Sequence, residues 1–259
     1  MSWFSRWRRN RILRHHLVPA DAFNAAVGRL PILHGLAPGE LARLREMTSL
    51  LLHDKTFSAA GGAEVDDAMQ LAIALQACLL ILNLGEDSYR GWNEIILYPD
   101  EFLRPRVDID EAGVVHHTRD ILAGESWHGG PLVLSLADVE ASGQADGFNV
   151  VLHEFAHKLD MLNGDANGFP PLHRGMDAAA WAQDFGHAYE DFCARVDTGE
   201  DTPIDPYASV DPAEFFAVLT ELFFETPQLL NAEYPAIYRQ LQLFYRQHPL
   251  LRQEPHAHA

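Results

Sequence analysis

Residues 148–162, reading Phe148-Asn149-Val150-Val151-Leu152-His153-Glu154-Phe155-Ala156-His157-Lys158-Leu159-Asp160-Met161-Leu162, constrain this chain more than any other segment. Phe148, Val151, Leu152, Phe155, Leu159 and Leu162 recur at spacings of three and four, which predicts a helix with one buried apolar face. Gly164, just beyond, suits its stop. His153 and His157 are four residues apart and so lie one turn above each other, on a different face from the apolar stripe. Two imidazole nitrogens placed this way can meet a single tetrahedral metal ion. Glu154, rotated about 100° from His153, flanks that ion and is set to take a proton from metal-bound water. A fold that contains this helix must bury one side of it, leave the other side open and bring a third ligand from elsewhere in the chain.

Asp160 lies seven residues after His153, nearly two turns on, and shares the histidine face. It is positioned either to accept a hydrogen bond from a ligand imidazole or to stand as a solvated carboxylate at the helix end. After His157 the chain continues KLDMLNGDANG, so no further His follows at metal-ligand spacing on the same segment. The third ligand is therefore expected on another helix, and Asp211-Pro212-Ala213-Glu214-Phe215-Phe216-Ala217-Val218-Leu219-Thr220-Glu221 is the strongest candidate. Asp211 reads as its N-cap and Pro212 as its first residue, with Phe215, Phe216, Leu219, Leu222 and Phe223 as its packing face. Glu214 offers a ligand oxygen, but at this position it can also complete a capping box with Asp211. Glu221 and Glu225 share its face, so spacing alone does not choose among the three.

The remaining pattern sets the fold class. From about Ala20 to Leu84 apolar residues recur at helical spacing, with Met69–Leu84 as a well-buried helix. Between Trp92 and Leu136 the pattern changes to short apolar runs, Glu94–Tyr98, Gly113–His117 and Pro131–Leu136, which read as strands. Helical periodicity returns at Phe148–Leu162, Ala178–Arg195, Pro212–Glu225 and Pro235–Gln247. The class is α+β, dominated by helices with a small mixed sheet. With no internal repeat, residues 20–250 are expected to form a single domain, residues 1–19 a basic arm and residues 251–259 a flexible tail.

Charge narrows the partners. The 259 residues carry a formal charge of −18, which excludes broad binding to phosphate backbones as the main function. Five of the 17 Arg fall in the first 14 residues with no acid among them, so that segment carries +5 and the rest −23. Interleaved with Trp3, Phe4 and Trp7, these Arg form either a partner- or membrane-surface-binding arm or a frayed end resting on an acidic body. Cys78 and Cys193 are too few for a disulfide scaffold. Met69–Leu84 is too short and too polar to span a bilayer, and the amino terminus lacks the apolar run of a secretory signal. A cytoplasmic location is expected.

The segments HEFAHKLDMLNG, YASVDPAEFFAVLTELFFETP, QACLLILNL, NEIILYP and SWHGGPLVLS, in addition, resemble the bacterial Mlc titration factor A family over roughly Leu30 to Pro249. The resemblance implies a zincin-like zinc metallopeptidase related to the catalytic domain of anthrax lethal factor. Carried over by position, it implies His153, His157 and Glu214 as ligands to one Zn²⁺, Glu154 as general base and Tyr207 as a hydroxyl near the metal. Read without it, Tyr207 is a loop tyrosine packed against the sheet. Lethal factor carries an acid four residues after its Glu ligand, where this chain has Val218, so that acid's role does not transfer. The resemblance also implies aminopeptidase-like activity on peptide substrates and a link to a glucose-responsive, DNA-binding repressor. The alternative expectation is a regulatory protein that sequesters this repressor, its acidic body competing for a basic surface. The strand Pro131–Leu136, preceded by Trp127-His128-Gly129-Gly130, offers an edge on which an extended peptide could pair. His116, His117 and His128 receive no role.

Overall fold

A computed structural model describes residues 3–99, 107–109, 115–117 and 130–253. Helix α1 (Trp3–His16) and α2 (Ala20–Val27) lead into α3 (Pro38–Asp54), strand β1 (Thr56–Ala59) and α4 (Asp67–Leu80). Strands β2 (Glu94–Tyr98), β3 (Val107–Ile109), β4 (Val115–His117) and β5 (Leu132–Ser135) follow, with β5 running directly into α5 (Leu136–Ala141). The last part is helical: α6 (Val150–Asp160), α7 (Ala178–Asp197), α8 (Pro212–Glu225), α9 (Pro227–Glu233), α10 (Pro235–Tyr245) and α11 (Pro249–Gln253). This is the expected helix-dominated α+β class.

The described strands form a three-stranded parallel sheet in the order β1-β2-β5 and a separate antiparallel pair, β3-β4. Ile95 and Leu97 of the central strand β2 and Leu132 and Leu134 of β5 are buried. Strand β1 was not expected. Its four residues, Thr56 to Ala59, alternate polar and apolar too briefly to stand out between two long helices, and it exists because β2 pairs with it from Thr56↔Glu94 to Ala59↔Leu97. The segment leading into β5, Trp127 to Gly129, lies outside the described residues, as do Gly113, Val114 and the His-containing tail after Gln253.

The arginine-rich start is a helix and packs on α3. Arg8 donates to both carboxylate oxygens of Asp54, and Arg9 reaches Glu46 at 2.6 Å. Ile12 is buried beneath them. Read locally, the segment has no acidic residue and no apolar stripe, so its sequence does not show the acids of α3 that hold it. These exposed ion pairs orient the helix more than they stabilise it.

Helix α6 is the centre of the fold. It packs against α4 and β5 on one side and against α8 on the other. Phe155, fully buried, contacts Tyr89 and Trp92 edge-on at centroid distances of 5.0 and 5.8 Å. Behind α8, Trp181 stacks on Phe185 at 4.3 Å and meets Phe216 and Phe244, which fixes the rear of the domain.

Candidate metal centre

The local sequence explains how α6 starts and stops. Asn149 caps it, its side-chain oxygen accepting from the Leu152 N–H. At the other end Asp160 is completely buried, and its Oδ2 accepts from the N–H groups of Asn167 and Gly168, both at 2.7 Å. The loop after the helix is thereby folded back to the start of α8. Gly168 sits at φ +75° against the Pro212 carbonyl, where a Cβ atom would collide. Helix α8 starts as its sequence predicts: the Asp211 carboxylate accepts from the N–H groups of Ala213 and Glu214.

These two helix ends bring three side chains together. One ligand atom each from His153, His157 and Glu214 falls in a cluster whose atoms all lie within 4.8 Å of one another. His153 Nε2 is 2.9 Å from Glu214 Oε2 and 3.2 Å from His157 Nε2, and His157 Nε2 is 3.4 Å from Glu214 Oε2. The Glu214 carboxylate thus turns toward the imidazoles, away from a capping-box bond. Glu221 lies on the other side of the His153 ring, its Oε1 2.8 Å from Nδ1. Glu225, one turn further, instead accepts from Ala145 N and Asn149 Nδ2. Spacing left these three acids equivalent, and the packing of α8 on α6 separates them.

The chemistry of this donor set fits a divalent cation. Two imidazole nitrogens and a carboxylate oxygen converge within about hydrogen-bonding distance of one another, and with Nδ1 of His153 turned to Glu221 it is Nε2 that faces the cluster. Burial disfavours the His153 imidazolium, but the bonds to Glu214 and Glu221 outweigh it and raise its pKa well above the ordinary range. Burial likewise pushes Glu214 up, yet the two histidines hold its carboxyl well below the usual carboxylate range.

Glu154 is half-buried beside this cluster, and its charge bears on Lys158 and on Tyr207. Lys158 is buried; it donates to the Gly130 carbonyl at 3.0 Å and its ammonium lies 5.3 Å from the Trp92 ring centre. Tyr207 occupies a short turn of 3₁₀ helix before α8, with its ring 6.2 Å from that of His153. Burial, the Glu214 charge and a hydrogen bond to Glu214 all raise the pKa of its hydroxyl, so it stays a donor. Asp160 is not the solvated carboxylate of its alternative reading. Its Oδ1 and the Nδ1 of His157, three residues earlier, are both buried with no hydrogen-bond partner among the described residues, and the His157 charge acts to lower the Asp160 pKa against the raising effect of burial.

The sequence that builds this fold and cluster matches a class already defined. The sequence pattern described as "Glucose-regulated metallo-peptidase M90" matches residues 4–246, and the chain belongs to that family. It is 40% identical over 225 residues to a protein of Escherichia fergusonii named Mlc titration factor A, covering 86% of this chain and 85% of that one. A protein of Yersinia pestis (strain Pestoides F) with the same name is 39% identical over 226 residues, 86% of this chain and 83% of the other. Among the described residues no helix is long and apolar enough to cross a membrane.

Proposed function

We propose that this protein is a zinc-dependent peptidase of aminopeptidase-like specificity, with His153, His157 and Glu214 as the metal ligands. The observation that carries the reading is the convergence of two imidazole nitrogens and one carboxylate oxygen at the junction of α6 and α8, in a member of a metallo-peptidase family. When bound, zinc supplies a Lewis acid that brings the pKa of a water toward 7 and polarises the scissile carbonyl. Glu154, half-buried beside the ligands, takes the proton of the attacking water and returns it to the leaving amine. Tyr207 keeps its hydroxyl proton and donates to the carbonyl oxygen as negative charge develops there. Lys158 holds the Gly130 carbonyl at the entrance to β5, the strand on which an extended substrate would pair. Asp160 holds the loop that joins the two ligand-bearing helices and places a carboxylate charge near His157.

Replacing Glu214 by Ala removes one of three ligands. Metal analysis of the purified Glu214→Ala protein is expected to show zinc occupancy far below that of the parent chain and of Glu225→Ala; equal retention in all three would remove Glu214 from the site.

A second reading rests on the names of the relatives, each a titration factor for Mlc, and on the net charge of −18. In it, the protein binds a glucose-responsive repressor in the cytoplasm through the repressor's basic surface, and proteolysis is secondary. Binding of purified Mlc should then survive Glu154→Gln and weaken as salt is raised. Loss of binding in that variant would tie the interaction to the catalytic cycle.

A further inference from the structure

Helix α8 touches the candidate metal cluster twice, and only the first contact is a ligand. Two turns after Glu214, the carboxylate of Glu221 is 4% exposed and engaged at both oxygens: Oε1 is 2.8 Å from Nδ1 of His153, and Oε2 accepts the backbone N–H of Asn149 at 2.5 Å. Asn149 is the cap of α6, and its side-chain amide donates to Gln76 of α4 and to Glu225 at 2.7 and 2.6 Å. One carboxylate therefore ties the His153 ring to the start of the helix that carries it.

We infer that Glu221 is the positioning residue of the metal site: by accepting Nδ1–H, it fixes His153 in the tautomer whose Nε2 lone pair faces the metal. The assignment rests on the proposed zinc site and adds to it a residue that never touches the metal. The geometry makes the carboxylate specific. Each oxygen accepts one N–H, whereas a glutamine has one acceptor oxygen and one NH₂ group. In Glu221→Gln either the Asn149 N–H faces an NH₂ group, or the NH₂ group donates to Nδ1 and moves the ring proton to Nε2, where it blocks the metal. Glu225→Gln disturbs the same cap through the Asn149 side chain but leaves His153 untouched, so it reports what a purely structural defect costs.

The experiment is zinc affinity by chelator competition on the full-length parent, Glu221→Gln and Glu225→Gln, together with nitrogen-15 NMR of the His153 ring in the parent. Outer hydrogen bonds to metal-bound histidines are worth about 10–100-fold in metal affinity. Glu221→Gln is expected to bind zinc more weakly by that factor and Glu225→Gln to stay close to the parent. The parent is expected to show a slowly exchanging proton on Nδ1 and none on Nε2. Equal affinity in the parent and Glu221→Gln, or equal losses in the two variants, overturns the assignment, as does a proton found on Nε2 of the zinc-loaded parent; this last observation needs no variant and stands even where Glu221→Gln does not fold. A parent chain that binds no zinc would overturn the zinc reading itself, together with the inference built on it.

Discussion

Glutamates of similar spacing do different work here because of what each meets. Glu214 faces two imidazoles, Glu221 the back of one of them, and Glu225 a backbone N–H and an amide. Burial pushes the Glu225 carboxyl up to about 7, against the lowering effect of its bonds from Asn149 and Ala145. An acid whose pKa is raised on folding holds a proton in the native state that the unfolded chain has lost. Its contribution to stability is complete below the ordinary carboxylate range and disappears as pH rises from about 4.5 to about 7. Denaturant titrations across that window should show the parent losing stability relative to Glu225→Gln as pH rises; parallel curves would contradict the shift. Spacing did not separate the three acids, which differ by about one or two helical turns, and only the family resemblance singled out Glu214. His153, Glu154 and His157 were legible, because their spacing on one helix is itself the geometry.

At the scale of elements, the site depends on how α6 is held. Phe155 sits between the two histidines in sequence and points the opposite way, into Tyr89 and Trp92. Removing it leaves a cavity beneath the helix, and Phe155→Ala is expected to cost about 3–5 kcal/mol in chemical denaturation. A loss below about 1 kcal/mol would mean that α6 is not anchored through this residue. The periodicity that predicts α6, α7 and α10 is strong because each carries an apolar face over at least three turns, while α8, buried on nearly every side, is marked by its cap and its apolar run. The first helix escaped the same reading because its partners are acids on α3, and β1 did so because four residues acquire strand character only by pairing with β2. Asn149 as cap, and Asp160 as the residue that ties the loop to α8, likewise depend on contacts that spacing does not reveal.

Across the whole molecule, the charge of −18 first served to exclude nucleic acid. The structure shows part of the basic segment paired with the acids of α3, through Arg8 with Asp54 and Arg9 with Glu46. A net charge of this size attracts basic peptides or a basic protein surface at long range. The family match over residues 4–246 makes this chain a member of a metallo-peptidase family, and the function proposed for it, peptide hydrolysis with zinc and Glu154, rests on that match and on the cluster of His153, His157 and Glu214. The direct measurement is zinc content and peptide hydrolysis of Glu154→Gln beside the parent chain. About one zinc per chain in both proteins, with hydrolysis lost in the variant and abolished in the parent by a chelator, is the predicted result. Full hydrolysis by the zinc-loaded variant would contradict it.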